Sequence, residues 1–270
     1  MAYVASARMY SVSPGAASAW HELFEWIALE SGVKLSVNGH AFPAPLAELW
    51  SLPDLGCAFM CGFPHQLAKH PPRPLAAPVP LRAPVEGMPV YATHLVVRAN
   101  AGFHGLEDSF GGRLGYTAED SHSGYNALRH HLLPYRLQRD GNLYRQSIGP
   151  LQTPRRVVEA VLADQIDVGP LDGYALDLMR RHEPELAKQI RIIATTDPAP
   201  IPFLVASREC PDEVVTSLQA ALLHFGEASA CADLRDRLCL QGFAPVVIDD
   251  YGVMLHWDAQ ARAAGYARPE

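Results

Sequence analysis

The sequence has no excess of basic residues and no long hydrophobic run. It contains 22 Lys and Arg against 29 Asp and Glu, a formal net charge of −7 at pH 7. Without a basic stripe to neutralise a phosphate backbone, nucleic-acid binding is not expected. No apolar run approaches the roughly eighteen residues of a membrane-spanning helix, so membrane insertion is not expected either.

Cysteine is scarce, and no export signal is evident. The five cysteines are odd in number and widely spaced, which argues against a disulfide framework and favours a reducing compartment. The opening residues MAYVASARMYSV have neither the basic n-region nor the apolar core of a signal peptide. As written, the chain predicts a cytoplasmic protein, or a periplasmic one if a signal peptide has been removed.

What the sequence does contain is an alternation of strand-like and helix-like segments. VASARMY, at 4–10, is typical of a strand, and a helix with apolar residues at helical spacing follows it. The pattern restarts with a strand at 113–117 and a helix at 122–133. Alternation of this kind favours parallel pairing. We therefore predict an α/β fold of two lobes, each a mostly parallel sheet flanked by helices.

The predicted lobes are built from discontinuous segments. One comprises 1–95 and 200–270, the other comprises 96–199, and two crossings near 93–98 and 194–202 join them. A proline-rich stretch at 70–89 carries no helix signal, and the end of the chain around 259–267 has low complexity.

The segment EDSHSGYNALRHHLLPY, which begins at Glu119, gathers hydroxyl groups at the predicted start of a helix. Asp120, Ser121 and Ser123 are all good N-cap residues, so one of them is expected to accept a hydrogen bond from a first-turn N–H. The alternative is an anion site, because unpaired N–H groups and the helix dipole favour negative charge there. Gly124 would then allow close approach to the backbone. The sequence leaves both interpretations open.

Three segments carry a resemblance to a known family. EDSHSGYNALR, VVEAVLADQIDVGPLDGYALDLM and IPFLVAS, in this order, resemble the phosphonate-binding (PhnD-like) solute-binding proteins of ABC transporters. ARMY, FMCGFP and VYATHLVVR are similar to a subgroup of that family in the N-terminal lobe. The resemblance implies a type 2 periplasmic-binding-protein fold, with a small anionic ligand between the lobes at the carboxyl ends of strands.

The resemblance also implies which residues bind the ligand. A helix start of Ser-X-Ser-Gly type would hold the anion, a tyrosine and an acid would line the cleft, and a second tyrosine would belong to the N-terminal lobe. In this sequence these positions are Ser121, His122, Ser123, Gly124, Tyr91, Asp172 and Tyr10. Asp172 also has the sequence position of a helix N-cap, and both tyrosines are equally typical of lobe-packing aromatics.

Two departures from the family pattern make phosphonate no more probable than another small anion. His122 stands where relatives usually carry Thr or Gln, and GPLQTPRRVV replaces a segment with Gly-Ser-His. An anion favours a protonated imidazole and the helix dipole opposes it, so the sign of any pKa shift is open. If the anion prevails, affinity falls as pH rises through the titration of His122.

We favour a non-catalytic binder of a small anion, either phosphonate- or phosphate-like or a carboxylate, with an ABC-transporter permease as its partner. The rival is an enzyme on the same fold. The alternative is a decarboxylase, dehydratase or cofactor-precursor synthase, which needs an acid or base beside the anion; Asp172 and Asp120 are the available groups. A ligand-sensing module with a protein partner is a third option. No cofactor, metal or catalytic residue is predicted. Cys61, near His65, lies in an apolar run and is typical of a core residue. His130 and His131 are adjacent on a helix, so their side chains point in different directions and cannot easily share a metal ion.

Overall fold

A computed structural model describes residues 2–270 as an α/β structure. The strands are β1 (Tyr3–Ser6), β2 (Leu35–Val37), β3 (Leu55–Met60), β4 (Arg73–Pro80), β5 (Val90–Tyr91), β6 (Thr93–Arg98), β7 (Arg113–Gly115), β8 (Gln146–Ile148), β9 (Gly169–Asp172), β10 (Ile190–Thr195), β11 (Ala199–Pro200), β12 (Phe203–Ala206) and β13 (Leu240–Ala244).

The helices alternate with these strands along most of the chain. They are α1 (Pro14–Ser31), α2 (Leu46–Trp50), α3 (Gly62–Leu67), α4 (Ala127–Leu137), α5 (Pro154–Leu162), α6 (Gly173–His182), α7 (Pro184–Ala187), α8 (Asp212–His224), α9 (Ala232–Leu238) and α10 (Gly252–Ala263). A π-helical turn, His122–Asn126, runs directly into α4. Within residues 2–270 no helix has both the length and the apolar character needed to cross a bilayer.

The chain folds into two units. The first contains the described residues up to Val90 together with Pro200–Ile248, and the second contains Tyr91–Ala199 and Asp249–Glu270. The chain therefore changes unit three times, whereas the sequence predicts two crossings and a first lobe that includes the whole of 200–270. The difference lies in the C-terminal segment, which bonds to Tyr125, Asn126 and Arg129 of the second unit.

Those bonds account for the position of α10. Asn126 donates to the main-chain oxygen of Met254, and Tyr125 donates to that of Ala267. Arg129 pairs with Asp258 on α10. The sequence does not predict this helix, because the alanine-rich segment 259–267 has little apolar periodicity.

The first unit contains a six-stranded sheet in the order β13-β4-β12-β3-β1-β2. β1 pairs in parallel with both β2 and β3, while β12 runs antiparallel to β3 and β4, and β13 antiparallel to β4. The prediction of a mostly parallel sheet is therefore wrong for this unit. β12 enters the sheet after the chain has passed through the other unit, so no single crossover helix sets its direction.

One interior strand was not predicted at all. β4 lies between β12 and β13 although Pro74, Pro78 and Pro80 are part of it. Proline cannot donate to a ladder, and a proline-rich segment normally argues against a central strand. Burial of the strand between two neighbours overrides this local signal.

The second unit has a mixed sheet of its own. β6 lies between β10 and β9 and is antiparallel to both, while β7 and β8 pair in parallel. A parallel bridge from Leu114 to Val168 joins the two ladders. The α/β class is thus correct here too, but the predominance of parallel pairing is not. The Thr93 end of β6 lies beside the carboxyl end of β9, where the predicted ligand residues of this unit are found.

Candidate functional site

The hydroxyl-rich segment forms the buried first turn of the helix that continues as α4. Ser121 has extended backbone angles and its Oγ accepts a hydrogen bond from the Gly124 N–H at 3.0 Å. The Asn126 N–H donates to the Ser121 carbonyl at 3.0 Å, which opens the first turn to π-helical width. All five residues of this turn are buried. The N-cap prediction is confirmed, and Ser121 is the residue that makes the cap.

Capping leaves the Ser121 hydroxyl able to donate. A serine hydroxyl has one proton and two lone pairs. The bond from Gly124 uses a lone pair only. The capping interpretation and the ligand interpretation are therefore compatible at this residue.

Gly124 has a packing reason to be glycine. A Cβ placed on Gly124 would lie 1.7 Å from Thr117 Oγ1 and 2.7 Å from Thr117 Cβ. The Thr117 N–H also donates to the Gly124 carbonyl at 3.2 Å, so the two backbones are held together. Any larger residue would force the helix away from the segment that follows β7. Thr117 was not identified from the sequence, because nothing in its local pattern indicates this contact.

Thr93 connects the helix start to the sheet. Its Oγ1 donates to the Ser123 carbonyl at 3.0 Å, and its Cα lies opposite Asp172 in the β6–β9 ladder. Thr196 Oγ1 in turn accepts from the Thr93 N–H at 3.0 Å. Thr93 therefore brings the predicted residues Ser123 and Asp172 into one neighbourhood, with Tyr91 two residues upstream.

Asp172 ends β9 and caps α6. Its Oδ1 accepts from the Ala175 N–H at 3.0 Å, and the residue is only 6% exposed. Gly173 follows without a side chain because a Cβ there would lie 2.9 Å from the Ala92 carbonyl. The capping role inferred from sequence is confirmed, and contact between Asp172 and a ligand stays a prediction.

His122 lies among aromatic rings. Its ring stacks on Trp257 at 5.3 Å between centroids with an interplanar angle of 23°, and Tyr91 is 6.3 Å away on a tilted plane. Trp257 stacks in turn on His130 at 4.4 Å. His122 is 1% exposed. Burial, assisted by the nearby His130, lowers the pKa of His122 to about 3.

The direction of the His122 pKa shift, which the sequence leaves open, is therefore downward. Desolvation disfavours the charged imidazolium, and the ring is neutral at physiological pH. The dipole argument made from sequence acts in the same direction, but burial is the larger cause. Sequence analysis missed it because Trp257, which covers the ring, lies on the distant helix α10.

Asn126 links His122 to a buried ion pair. Its side-chain Nδ2 is 3.3 Å from His122 Nδ1 and 2.8 Å from the Met254 carbonyl oxygen. Its Oδ1 accepts from Arg129 Nη2 at 3.3 Å, and Arg129 bonds to Asp258. The i, i+4 spacing of His122 and Asn126 was visible in the sequence, but the partners on the C-terminal segment were not.

Tyr10 belongs to the first unit. It is 1% exposed, and its ring meets that of Phe59 edge to face at 4.9 Å. Trp20 packs against the same Phe59 ring at 4.9 Å. These contacts are those of a core aromatic, and a ligand contact for Tyr10 stays a prediction.

The other groups considered from the sequence are His65, His130, His131 and Asp120. His65 Nε2 is bonded to the Pro72 carbonyl oxygen at 3.0 Å and its ring packs on Phe203. Burial lowers the pKa of both His130 and His131, with Asp197 opposing it. Asp120 is exposed. In the part of the chain that the structure describes, no three His, Cys, Asp or Glu side chains are grouped as metal ligands would be.

Solved structures with the same fold are numerous among ligand-binding proteins. A binding-protein component of an ABC phosphonate transporter from Pseudomonas aeruginosa aligns with a TM-score of 0.81 at 16% identity, over 98% of this chain and 88% of that one. PhnD1 from Prochlorococcus marinus, in complex with methylphosphonate, aligns with a TM-score of 0.74 at 12% identity, over 97% and 98%. An arginine-, lysine- and histidine-binding protein from Geobacillus stearothermophilus aligns at 0.58 and 9% identity, over 88% and 94%.

The fold is thus that of the periplasmic binding proteins, which confirms the predicted α/β, two-lobed class. The particular family follows from the sequence: residues 12–251 match the model for the phosphonate periplasmic substrate-binding proteins of ABC transporters, and the chain belongs to that family. A sequence search of curated proteins found no match. An arginine-, lysine- and histidine-binding protein also has this fold, so the fold alone does not determine the charge of the ligand.

Proposed function

We propose that this protein binds a small anion, of phosphonate or phosphate type, at the helix start Ser121–Gly124 and delivers it to an ABC-transporter permease. The family supports solute binding and uptake. The observation that carries the anion assignment is the geometry of Ser121, which caps the helix with a lone pair and keeps its proton for a ligand.

The donors at this helix start are suited to an anion. The Gly124 and Asn126 amides are already bonded to Ser121, which leaves the His122 and Ser123 amides and two serine hydroxyls as the proposed ligand donors. The helix continues to Leu137, so its dipole adds partial positive charge at this end. Three or four bonds of about 1.5–3 kcal/mol each approach the roughly 8 kcal/mol of micromolar binding.

In this proposal the charge of the anion is stabilised by the dipoles of the helix, its amides and the serine hydroxyls, and not by a cationic side chain. Arg129, the buried guanidinium on α4, is already bonded to Asp258 and to the Ala267 carbonyl oxygen. Its charge is therefore committed to a structural pair. A site of backbone and hydroxyl donors favours compact oxyanions over ligands that need a bidentate guanidinium. Because the family is periplasmic, we assign the proposed uptake role to that compartment.

Isothermal titration calorimetry with methylphosphonate, inorganic phosphate and arginine tests the proposal. We expect binding of one or both oxyanions and none of arginine. The variants Ser121→Ala and Ser123→Ala should each weaken oxyanion binding at least about tenfold, the loss of one hydrogen bond to a charged group. Ser109→Ala is the matched control, because that buried serine bonds to the Leu106 carbonyl oxygen and to Tyr144 instead. Unchanged affinity in the Ser121→Ala, Ser123→Ala double variant would refute the site.

A further inference from the structure

The ring nitrogens of His122 have unequal surroundings. Nδ1 lies 3.3 Å from the side-chain nitrogen of Asn126. Nε2 is buried and has no hydrogen-bond partner among residues 2–270. A buried donor without a partner costs about 1–3 kcal/mol, so the protonation state of each nitrogen matters for what the ring can bind.

The orientation of the Asn126 amide is determined by two neighbours. Arg129 Nη2, which can only donate, is 3.3 Å from Oδ1. The Met254 carbonyl oxygen, which can only accept, is 2.8 Å from Nδ2. Exchanging the amide oxygen and nitrogen would set donor against donor and acceptor against acceptor. The amide group therefore turns its NH2 toward Met254 and toward His122.

An NH2 group facing Nδ1 selects one tautomer of the imidazole. The amide nitrogen has no acceptor capacity, so Nδ1 must accept and carries no proton. In a neutral imidazole the single proton is then on Nε2. An Nδ1–H tautomer or an imidazolium would bring two donors together at 3.3 Å.

We propose that Asn126 is a positioning residue that holds His122 as the neutral Nε2–H tautomer, making its ring an uncharged hydrogen-bond donor to an acceptor atom of the ligand. The inference deepens the proposed function and rests on it for the identity of the ligand. It makes the site a purely dipolar one, in which an anion binds without taking up a proton.

The charged and titratable groups around the ring agree with a neutral His122. His130 on α4 disfavours added positive charge on the ring. The charge of Arg129 is paired with Asp258 on α10, which Arg262 also bonds. Tyr91 on β5 contributes an aromatic ring. Burial lowers the pKa of His122 well below neutrality, so none of these groups restores the imidazolium.

Long-range 1H–15N correlation spectra of histidine-labelled protein at neutral pH test the tautomer directly, with the His122→Gln variant used for assignment. We expect Nε2 to show the shift of a protonated nitrogen and Nδ1 that of an unprotonated one. In Asn126→Ala both shifts should move toward the average of the two tautomers, whereas a merely structural role would leave them unchanged. The reverse pattern, or an imidazolium, in the unaltered protein would overturn the inference even if the variant failed to fold.

Ligand binding is tested with two isosteric substitutions and methylphosphonate as the probe. The amide nitrogen of Gln superposes on Nε2 and that of Asn on Nδ1, so His122→Gln keeps the proposed donor and His122→Asn removes it. We expect His122→Gln to bind within about threefold of the unaltered protein and His122→Asn at least about tenfold more weakly. Equal affinities for both variants would refute the donor role. Absence of binding by the unaltered protein would instead refute the proposed function, with the NMR result still deciding the tautomer.

Discussion

Arg129 and Asp258 form an ion pair in the interior of the second unit, joining α4 to the C-terminal helix. Arg129 is 2% exposed. Burial raises the pKa of Asp258, but hydrogen bonds from Arg262 and Arg129 outweigh burial, and the pKa lies below its usual value. The pair explains why the last 22 residues, 249–270, belong to this unit.

Breaking this pair is predicted to destabilise the protein strongly. Asp258→Ala alone should lower the free energy of unfolding by about 3–5 kcal/mol, because the Arg129 charge is left buried without a carboxylate. Arg129→Met should cost less, because Asp258 keeps its bond to Arg262. The double variant should lose less than the sum. Urea unfolding of the four proteins measures the coupling, and the exposed pair Lys188–Glu185 serves as a control worth less than about 1 kcal/mol. Strict additivity would contradict the prediction.

Gly124→Ala is predicted to destabilise through a steric clash. The new methyl group would approach Thr117 Oγ1 to 1.7 Å, where neither backbone has room to move freely. Overpacking of this kind costs about 1–3 kcal/mol. Gly252→Ala is the matched control, since a Cβ there meets nothing within 4 Å on a helix, and alanine should be neutral or stabilising. Thermal unfolding of both variants separates clash from helix propensity.

Acid should destabilise the protein through its buried and half-buried histidines. The pKa of His122 falls from 6.5 to about 3 on folding, and burial also lowers the pKa of His65, His94, His130 and His131. The unfolded chain then binds more protons, so the stability present above pH 6.5 is lost as the pH falls toward 3.

The variant His122→Gln measures how much of this pH dependence of stability comes from His122. The variant should have a shallower slope of unfolding free energy against pH between about 3 and 6, by up to about 1.4 kcal/mol per pH unit for one proton. Urea unfolding at several pH values measures the slope. An unchanged slope would show that His122 titrates alike in the folded and unfolded chain.

The two roles considered for Asp172 are separable by substitution. Asn is as good an N-cap as Asp, so Asp172→Asn should keep the bond to the Ala175 N–H and leave stability within about 0.5 kcal/mol. Asp172→Ala should lose about 1 kcal/mol. Chemical denaturation checks the cap, and calorimetry of Asp172→Asn with methylphosphonate then reports ligand contact alone. A large stability loss in Asp172→Asn would contradict the simple cap.

Much of the local structure was predictable because local rules govern it. The helix after Glu119 begins with a serine cap as its composition indicated, and α6 follows Asp172 for the same reason. Strand directions were not predictable in this way. Whether β12 pairs parallel or antiparallel to β3 depends on where the chain re-enters the first unit, and no residue of β12 encodes that by itself.

The sequence by itself determined the α/β class, the family and the capped helix start, because spacing, cap residues and short motifs act over a few residues. Only the tertiary structure decided the environment of that helix start. Trp257, Met254 and Asp258 reach it from the far end of the chain, and they set the pKa of His122 and the orientation of Asn126. Desolvation and hydrogen-bond direction depend on which atoms surround a group, and that information exists only once distant segments have packed together.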